Sequence, residues 1–272
     1  MRPAALFGLP CGILAMFGLG LRAPANPPSG PQQLITAANK PGDPAHGRLN
    51  QSRENFEDGL AIPSSLALKK GGKDKIAFLT FDDGPSPVSK RVLATLAKNS
   101  IKATFFIIGQ MAEHYPEELK AEYAAGHAIG NHSYTHNYRK IYKTTQTMID
   151  EITKTEGILE NILGPTFRTH LFRFPGGYMG VRSVFKGHKE KYAEALKDCG
   201  IHFIDWNVDC GDTMPHPQTS TQLFNRVMAE SKGQNRIVVL MHDAGAKERT
   251  ADALPRIIAA LKKRGYVFRT LS

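Results

Sequence analysis

The sequence predicts an α/β fold built on a parallel sheet, open or closed into a barrel, on three observations. First, from Lys73 onward short runs of β-branched and aromatic residues alternate with longer amphipathic runs, and regular strand–helix alternation is the pattern of parallel sheets. Second, Gly126, Gly164, Gly200, Gly233 and Gly265 stand just past the ends of amphipathic runs, where helices commonly end in a left-handed residue. Third, carboxylates and imidazoles recur directly after the apolar runs, at the strand ends where parallel sheets and barrels carry their chemistry.

In chain order, strands are expected near 76–81, 103–108, 127–130, 171–174, 202–209, 236–241 and 266–270. Helices are expected between them, near 87–99, 116–125, 144–163, 183–198, 219–232 and 250–264. No short repeat of the solenoid kind interrupts this order.

The chain has 272 residues, 41% hydrophobic and 22% charged, with a net charge of +10, which suits one sizeable globular domain with appendages. Residues 1–25 read as a signal peptide: Arg2 is the positive start, Ala4 to Leu21 carries no charge, and Ala23-Pro24-Ala25 is a small-residue cleavage site. A retained membrane anchor is the competing reading of that run; Pro10 and the glycines at 8, 12, 18 and 20 weigh against it. Cleavage would start the mature chain near Asn26 and, by removing Arg2 and Arg22, leave a net charge of +8. Residues 26–72, rich in Pro, Gly, Asn, Gln and Ser, read as an extension or linker with a short helix around Arg53 to Leu60, and residues 73–272 as the globular domain.

The basic charge favours anionic surfaces such as a cell wall, but no aromatic-interleaved basic stripe points to nucleic acid. After cleavage no stable membrane association is expected. Only Cys199 and Cys210 then remain. They flank a strand about 23 Å long, whereas bridged Cα atoms lie within about 7 Å, so both are expected to be free thiols.

The chemistry begins with Asp82 and Asp83 at the end of Ile76-Ala77-Phe78-Leu79-Thr80-Phe81, just before Gly84-Pro85. Strand alternation should send the two carboxylates in different directions, fit for different tasks. Alone, the pair also reads as a strand end with an ordinary turn. His132 and His136 follow the next strand end but one, and two imidazoles four residues apart meet on one face if the segment makes a helical turn. Each has a plain structural reading, as do Arg173, Asp209, Asp212 and His242 after later strands. Together they place two imidazoles and a carboxylate, a catalytic metal set with open positions, on one rim with further carboxylates, an Arg and another His.

The order Thr80-Phe81-Asp82-Asp83-Gly84-Pro85, His132-Ser133-x-x-His136, Arg173-x-Pro175, Trp206 with Asp209 and Asp212, then Leu240-Met241-His242 resembles the polysaccharide deacetylases of carbohydrate esterase family 4, the NodB-like domain. The resemblance runs from about Lys73 to the C-terminus. It implies a deformed (β/α) barrel, a divalent metal, and hydrolysis of N-acetyl groups on β-1,4-linked amino sugars. Carried over position by position, it makes Asp83, His132 and His136 the metal ligands, Asp82 the general base, Arg173 its ionic partner, His242 the general acid and Asp212 the support of His242. Leu240 and Trp206 would line the acetyl pocket. Zn²⁺ is the default ion for such ligands, with Co²⁺, Ni²⁺ or Fe²⁺ also suited.

The chain departs from the family at Gly176, where an aromatic often follows the Pro, and at Thr213, where a second Trp often stands. The Gly176 amide can still serve an oxyanion, while Tyr178, Tyr134 or Tyr138 is left to supply a sugar-stacking surface. The expectation is a secreted, cell-wall or periplasmic N-deacetylase acting on the N-acetylglucosamine of peptidoglycan, with chitin oligosaccharides next. The same machinery serves acetylxylan esterases. A carbohydrate-binding protein that lost the chemistry is the non-enzymatic alternative.

Overall fold

The computed structural model describes residues 74–178 and 189–271. The leader, the extension with its short helix, and the start of the helix expected at 183–198 lie outside the described residues. Among the described residues no helix is long and apolar enough to cross a membrane.

The strands are β1 (Lys75–Asp82), β2 (Thr104–Ile107), β3 (Ala128–Asn131), β4 (Leu171–Phe172), β5 (His202–Phe203), β6 (Val208–Asp209), β7 (Arg236–His242) and β8 (Tyr266–Phe268). All pairings are parallel, in the order β5-β4-β3-β2-β1-β7-β6, with β8 beside the first residues of β1. Connecting them are α1 (Pro87–Lys98), α2 (Gly109–His114), α3 (Pro116–Ala124), α4 (Tyr138–Ile141), α5 (Thr145–Leu163), α6 (Lys189–Asp198), α7 (Ser220–Glu230) and α8 (Glu248–Lys263). Ser86, Thr144 and Thr219 start α1, α5 and α7 with capping boxes. The five glycines past helix ends all hold positive φ.

The strand expected at 202–209 is two strands, and the break is what deforms the barrel. β5 forms one edge of the sheet and β6 the other, so Ile204 to Asn207 span the seam. Ile204 N donates to Phe172 O at 3.0 Å on one side, and Asn207 N to Val238 O at 3.3 Å on the other. The Asn207 side chain continues the second edge, accepting from Val238 N at 2.8 Å and donating to Arg236 O at 3.0 Å.

Period-two alternation then sorts the strand residues. Ala77, Leu79 and Phe81 of β1, with Ile237, Val239 and Met241 of β7, pack in the cluster that includes helix residues Val92, Leu96, Leu254 and Ile258. Ile76, Phe78, Phe106, Leu171, Ile204 and Val238 form the inner cluster. The inner positions next along each strand are Thr80 and Asp82, Leu240 and His242, and Arg173. The apolar interior therefore ends in the polar rim. Cys210 is buried, Cys199 exposed, and both are free.

Candidate active site

Register builds the first half of the rim. β1 and β7 pair with Asp82 beside His242 and Thr80 beside Leu240. Arg173, just past β4, is fully buried and reaches across the interior. Its Nη1 donates to Asp82 Oδ1 at 2.8 Å and to Thr80 Oγ1 at 2.7 Å, Nε to Ile204 O at 2.9 Å, and Nη2 to Asp205 O at 3.2 Å. Phe106 lies under the guanidinium, 4.2 Å from its ring centroid. Burial pushes the Asp82 carboxyl above its ordinary range while Arg173 and His242 pull it down, and burial prevails.

His242 Nδ1 lies 2.8 Å from Asp212 Oδ1, whose second oxygen accepts from His242 N at 2.9 Å and Thr250 Oγ1 at 2.8 Å. Burial alone would lower the His242 pKa, but Asp212, Asp83 and Asp82 raise it to about 9. Burial works in the other direction on Asp212, and the His242 hydrogen bond wins, holding its pKa below the usual carboxylate value. His242 is thus a charged donor near neutral pH, with Asp212 fixing its ring.

The second half of the rim rests on loops. Asp83 follows the end of β1 with φ of 71°. Alternation would have turned it to the helix side; the left-handed backbone returns it to the rim beside Asp82, so the two carboxylates converge rather than diverge. Asp83 Oδ1 lies 3.5 Å from His132 Nε2 and 3.4 Å from His136 Nε2. The histidine segment makes no helical turn: Ser133 and His136 have φ of 68° and 53°, and the rings meet 5.0 Å apart through loop geometry.

Asp83, His132 and His136 are the group among the described residues whose donor atoms fit one ion, all within 4.8 Å of one another. Three features suit a metal. Asp83 Oδ1 is buried without a hydrogen-bond partner. His132 Nδ1 lies 2.8 Å from the Arg173 carbonyl, which can only accept, so Nδ1 carries the hydrogen and Nε2 offers its lone pair. Burial, with His136 beside it, lowers the His132 pKa to about 3, keeping the ring neutral as a ligand must be.

The structure adds residues that the motifs did not single out. Glu151 of α5 gathers the histidine loop: Oε2 accepts from Tyr134 N at 3.1 Å, Thr135 N at 2.7 Å and Thr135 Oγ1 at 2.9 Å, while Oε1 pairs with Lys140 at 2.8 Å. Burial raises its pKa, and the Lys140 and Thr135 bonds outweigh that and lower it. The signal was available, because Glu151 is a charge among Met148, Ile152, Thr155 and Leu159 on the buried face of α5. Asp243 is another: its carboxylate accepts from Ser89 Oγ and lies where a side chain on Gly84 would have to go, so that turn needs glycine.

Of the remaining expected residues, Leu240 is buried on the inner face beside the rim, and Trp206 sits on the seam against Gly177. Gly176 has φ of 82° in the turn after Pro175. Tyr178 packs between Phe174 and Phe203, at 5.4 and 4.7 Å between ring centroids. Asp209, in register with Leu240, has its Oδ1 accepting from Gly211 N at 2.7 Å.

A sequence model described as polysaccharide deacetylase matches residues 69–204. A peptidoglycan-N-acetylglucosamine deacetylase of Bacillus cereus is 35% identical over 225 residues, covering 81% of this chain and 77% of the relative. The chain belongs to the polysaccharide deacetylase family. Another member, the putative polysaccharide deacetylase YheN of Bacillus subtilis, is 33% identical over 233 residues, covering 83% of this chain and 79% of that one. In structure, the catalytic domain of the Eubacterium rectale peptidoglycan N-acetylglucosamine deacetylase superposes with a TM-score of 0.69 at 30% identity, over 77% of this chain and 94% of that domain. The family's curled, parallel half-barrel is the fold found here. A mutant of a family pseudoenzyme, with its enzymatic activity restored, is also similar to this chain, with a TM-score of 0.61 at 28% identity, over 73% of this chain and 66% of that one.

Proposed function

We propose that this polysaccharide deacetylase hydrolyses the N-acetyl group of N-acetylglucosamine residues in peptidoglycan, outside the cytoplasmic membrane, with Zn²⁺ held by Asp83, His132 and His136. The observation that carries the reading is the division between adjacent carboxylates. Asp82 is committed to Arg173, while the buried Asp83 Oδ1 is left for an ion between two imidazoles. A bound ion supplies Lewis acidity toward the acetyl carbonyl, which an amide needs.

The chain's own groups do the rest. Asp82, raised by burial, takes a proton from the attacking water, and Arg173 fixes the carboxylate that receives it. His242 gives its Nε2 proton to the departing amine as the C–N bond breaks and the new C–O bond is kept, so the products are acetate and a free amino sugar. Asp212 stabilises the imidazolium and leaves Nε2 to face Asp83, 4.0 Å away. The Gly176 amide serves the developing oxyanion, and Leu240 and Trp206 line the site of the acetyl methyl. All the groups whose loss would leave a mere binding protein are in place, which favours catalysis over the pseudoenzyme alternative.

The peptidoglycan assignment draws on the named activities of the B. cereus and E. rectale relatives, and the location on the leader-like start of the chain. The test is acetate release by zinc-loaded protein from peptidoglycan, N-acetylated chitin oligosaccharides and acetylated xylan. The greatest release is expected from peptidoglycan. Release from xylan alone would make the chain an O-acetyl esterase, and none from any substrate would end the catalytic reading.

A further inference from the structure

Gly176 leaves the turn after Pro175 without a side chain, yet the space beside it is filled. A Cβ at Gly176 would come within 3.2 Å of both Cζ and the hydroxyl of Tyr138. The Tyr138 ring centroid is 5.3 Å from that of His136, one of the three residues of the metal set. The residue is nevertheless 40% exposed, one of few large apolar side chains so exposed among the described residues.

The ring is also held in position. Asn137 N-caps α4 through its side chain, placing Tyr138 at the first position of the helix, and Glu151 anchors the same helix through Lys140. Tyr142 stands behind it at 6.3 Å, tied by its hydroxyl to Pro175 O at 2.8 Å and packed on Phe174 and Tyr192. An aromatic face fixed before the ligand arrives binds with little further loss of freedom.

Tyr134, Tyr178 and Tyr123 each pack against neighbours of their own. Lys154 covers the Tyr134 ring at 3.5 Å, and the Tyr134 hydroxyl donates to Glu113. Tyr178 is packed within the aromatic cluster around Phe174 and Phe203. Tyr123, also exposed, packs edge-on to Phe167.

We infer that Tyr138 is the substrate-stacking platform of this enzyme, taking the apolar face of a pyranose ring of the glycan next to the metal set. Gly176 is the complement of that arrangement, because any side chain there would press on the ring. The inference rests on the glycan substrate proposed above, and its test separates the two.

Binding of N-acetylated chitotetraose to metal-free protein is measured by calorimetry for wild type, Tyr138→Ala, Tyr138→Phe and Tyr138→Trp, with KM, kcat and metal content measured on zinc-loaded samples. Tyr138→Ala should weaken binding and raise KM by about two- to twelvefold, in the range of one aromatic stacking contact. Its metal content should stay stoichiometric. Phe and Trp should restore the affinity, which a merely structural role of the hydroxyl would not allow. Equal affinity of wild type and Tyr138→Ala, with acetate release intact in wild type, would overturn the platform alone. Failure of the wild type both to bind the tetrasaccharide and to release acetate from any glycan would overturn the substrate reading and the platform with it.

Discussion

The two halves of the rim hold their groups by different means. Asp82, His242 and Arg173 sit at inner-face positions at or next to the ends of strands, and the β1–β7 register alone puts Asp82 beside His242. Asp83, His132 and His136 belong to turns, and two of the three need a left-handed backbone to converge. Such backbone is uncommon outside glycine, though less so for Asp and His, and persists when the surroundings over-determine it. In this chain Glu151 does so for the histidine loop. The proposed proton-transfer half is therefore positioned by the sheet, whereas the proposed metal half depends on a scaffold outside the motifs.

Variants can break that contrast, beginning with the metal half. His132→Ala and His136→Ala should each lose stoichiometric metal and all measurable turnover, because two ligands hold an ion poorly; elemental analysis reads the first effect and acetate release the second. Full metal occupancy in both would remove the histidines from the site.

In the proton-transfer half, Arg173→Ala leaves Asp82 buried without its cation. A loss of about 3–5 kcal/mol of stability is expected, read from urea midpoints, and Arg173→Lys should recover little because an ammonium cannot reproduce the spread of donors now reaching Asp82, Thr80, Ile204 and Asp205. A wild-type midpoint in Arg173→Ala would mean the pair is solvated rather than buried.

Glu151→Ala tests the scaffold. It frees the Tyr134 and Thr135 amides and releases Lys140, so zinc affinity should fall about tenfold while the urea midpoint changes less than in Arg173→Ala. Unchanged zinc affinity would show that the loop holds its shape unaided.

The smallest effect is a displacement along the pH axis. With Asp82 as the proposed base and His242 as the proposed acid, activity should fall below the raised Asp82 pKa and again above about pH 9. Asp212→Asn removes the charge that raises His242 and leaves burial to lower it, so the basic limb should move down by about one to two pH units. An unmoved limb would take the acid role from His242.

What could be read from the sequence follows the same divide. Strand ends, helix spans and the groups on the rim were legible because apolar alternation fixes strands, and strand ends fix the sheet's chemistry. The run at 202–209 reads as one strand because its residues suit an extended chain; that it passes from one edge of the sheet to the other is a property of closure, which no local pattern carries. The convergence of Asp82 with Asp83, and of His132 with His136 without a helical turn, depends on positive φ at Asp83, Ser133 and His136, none of them glycine. α2 and α4 are too short for a period to show. Glu151 was legible as a charge on a buried helix face, but its partners were not.

The most direct test of the division between the carboxylates is metal content and acetate release measured on the same preparations of Asp82→Asn and Asp83→Asn. Asp82→Asn should keep its metal and lose about 10² to 10⁴ in rate, the usual contribution of a general base, whereas Asp83→Asn should lose the metal itself. Equal metal loss in both, or undiminished turnover in Asp82→Asn, would contradict the account.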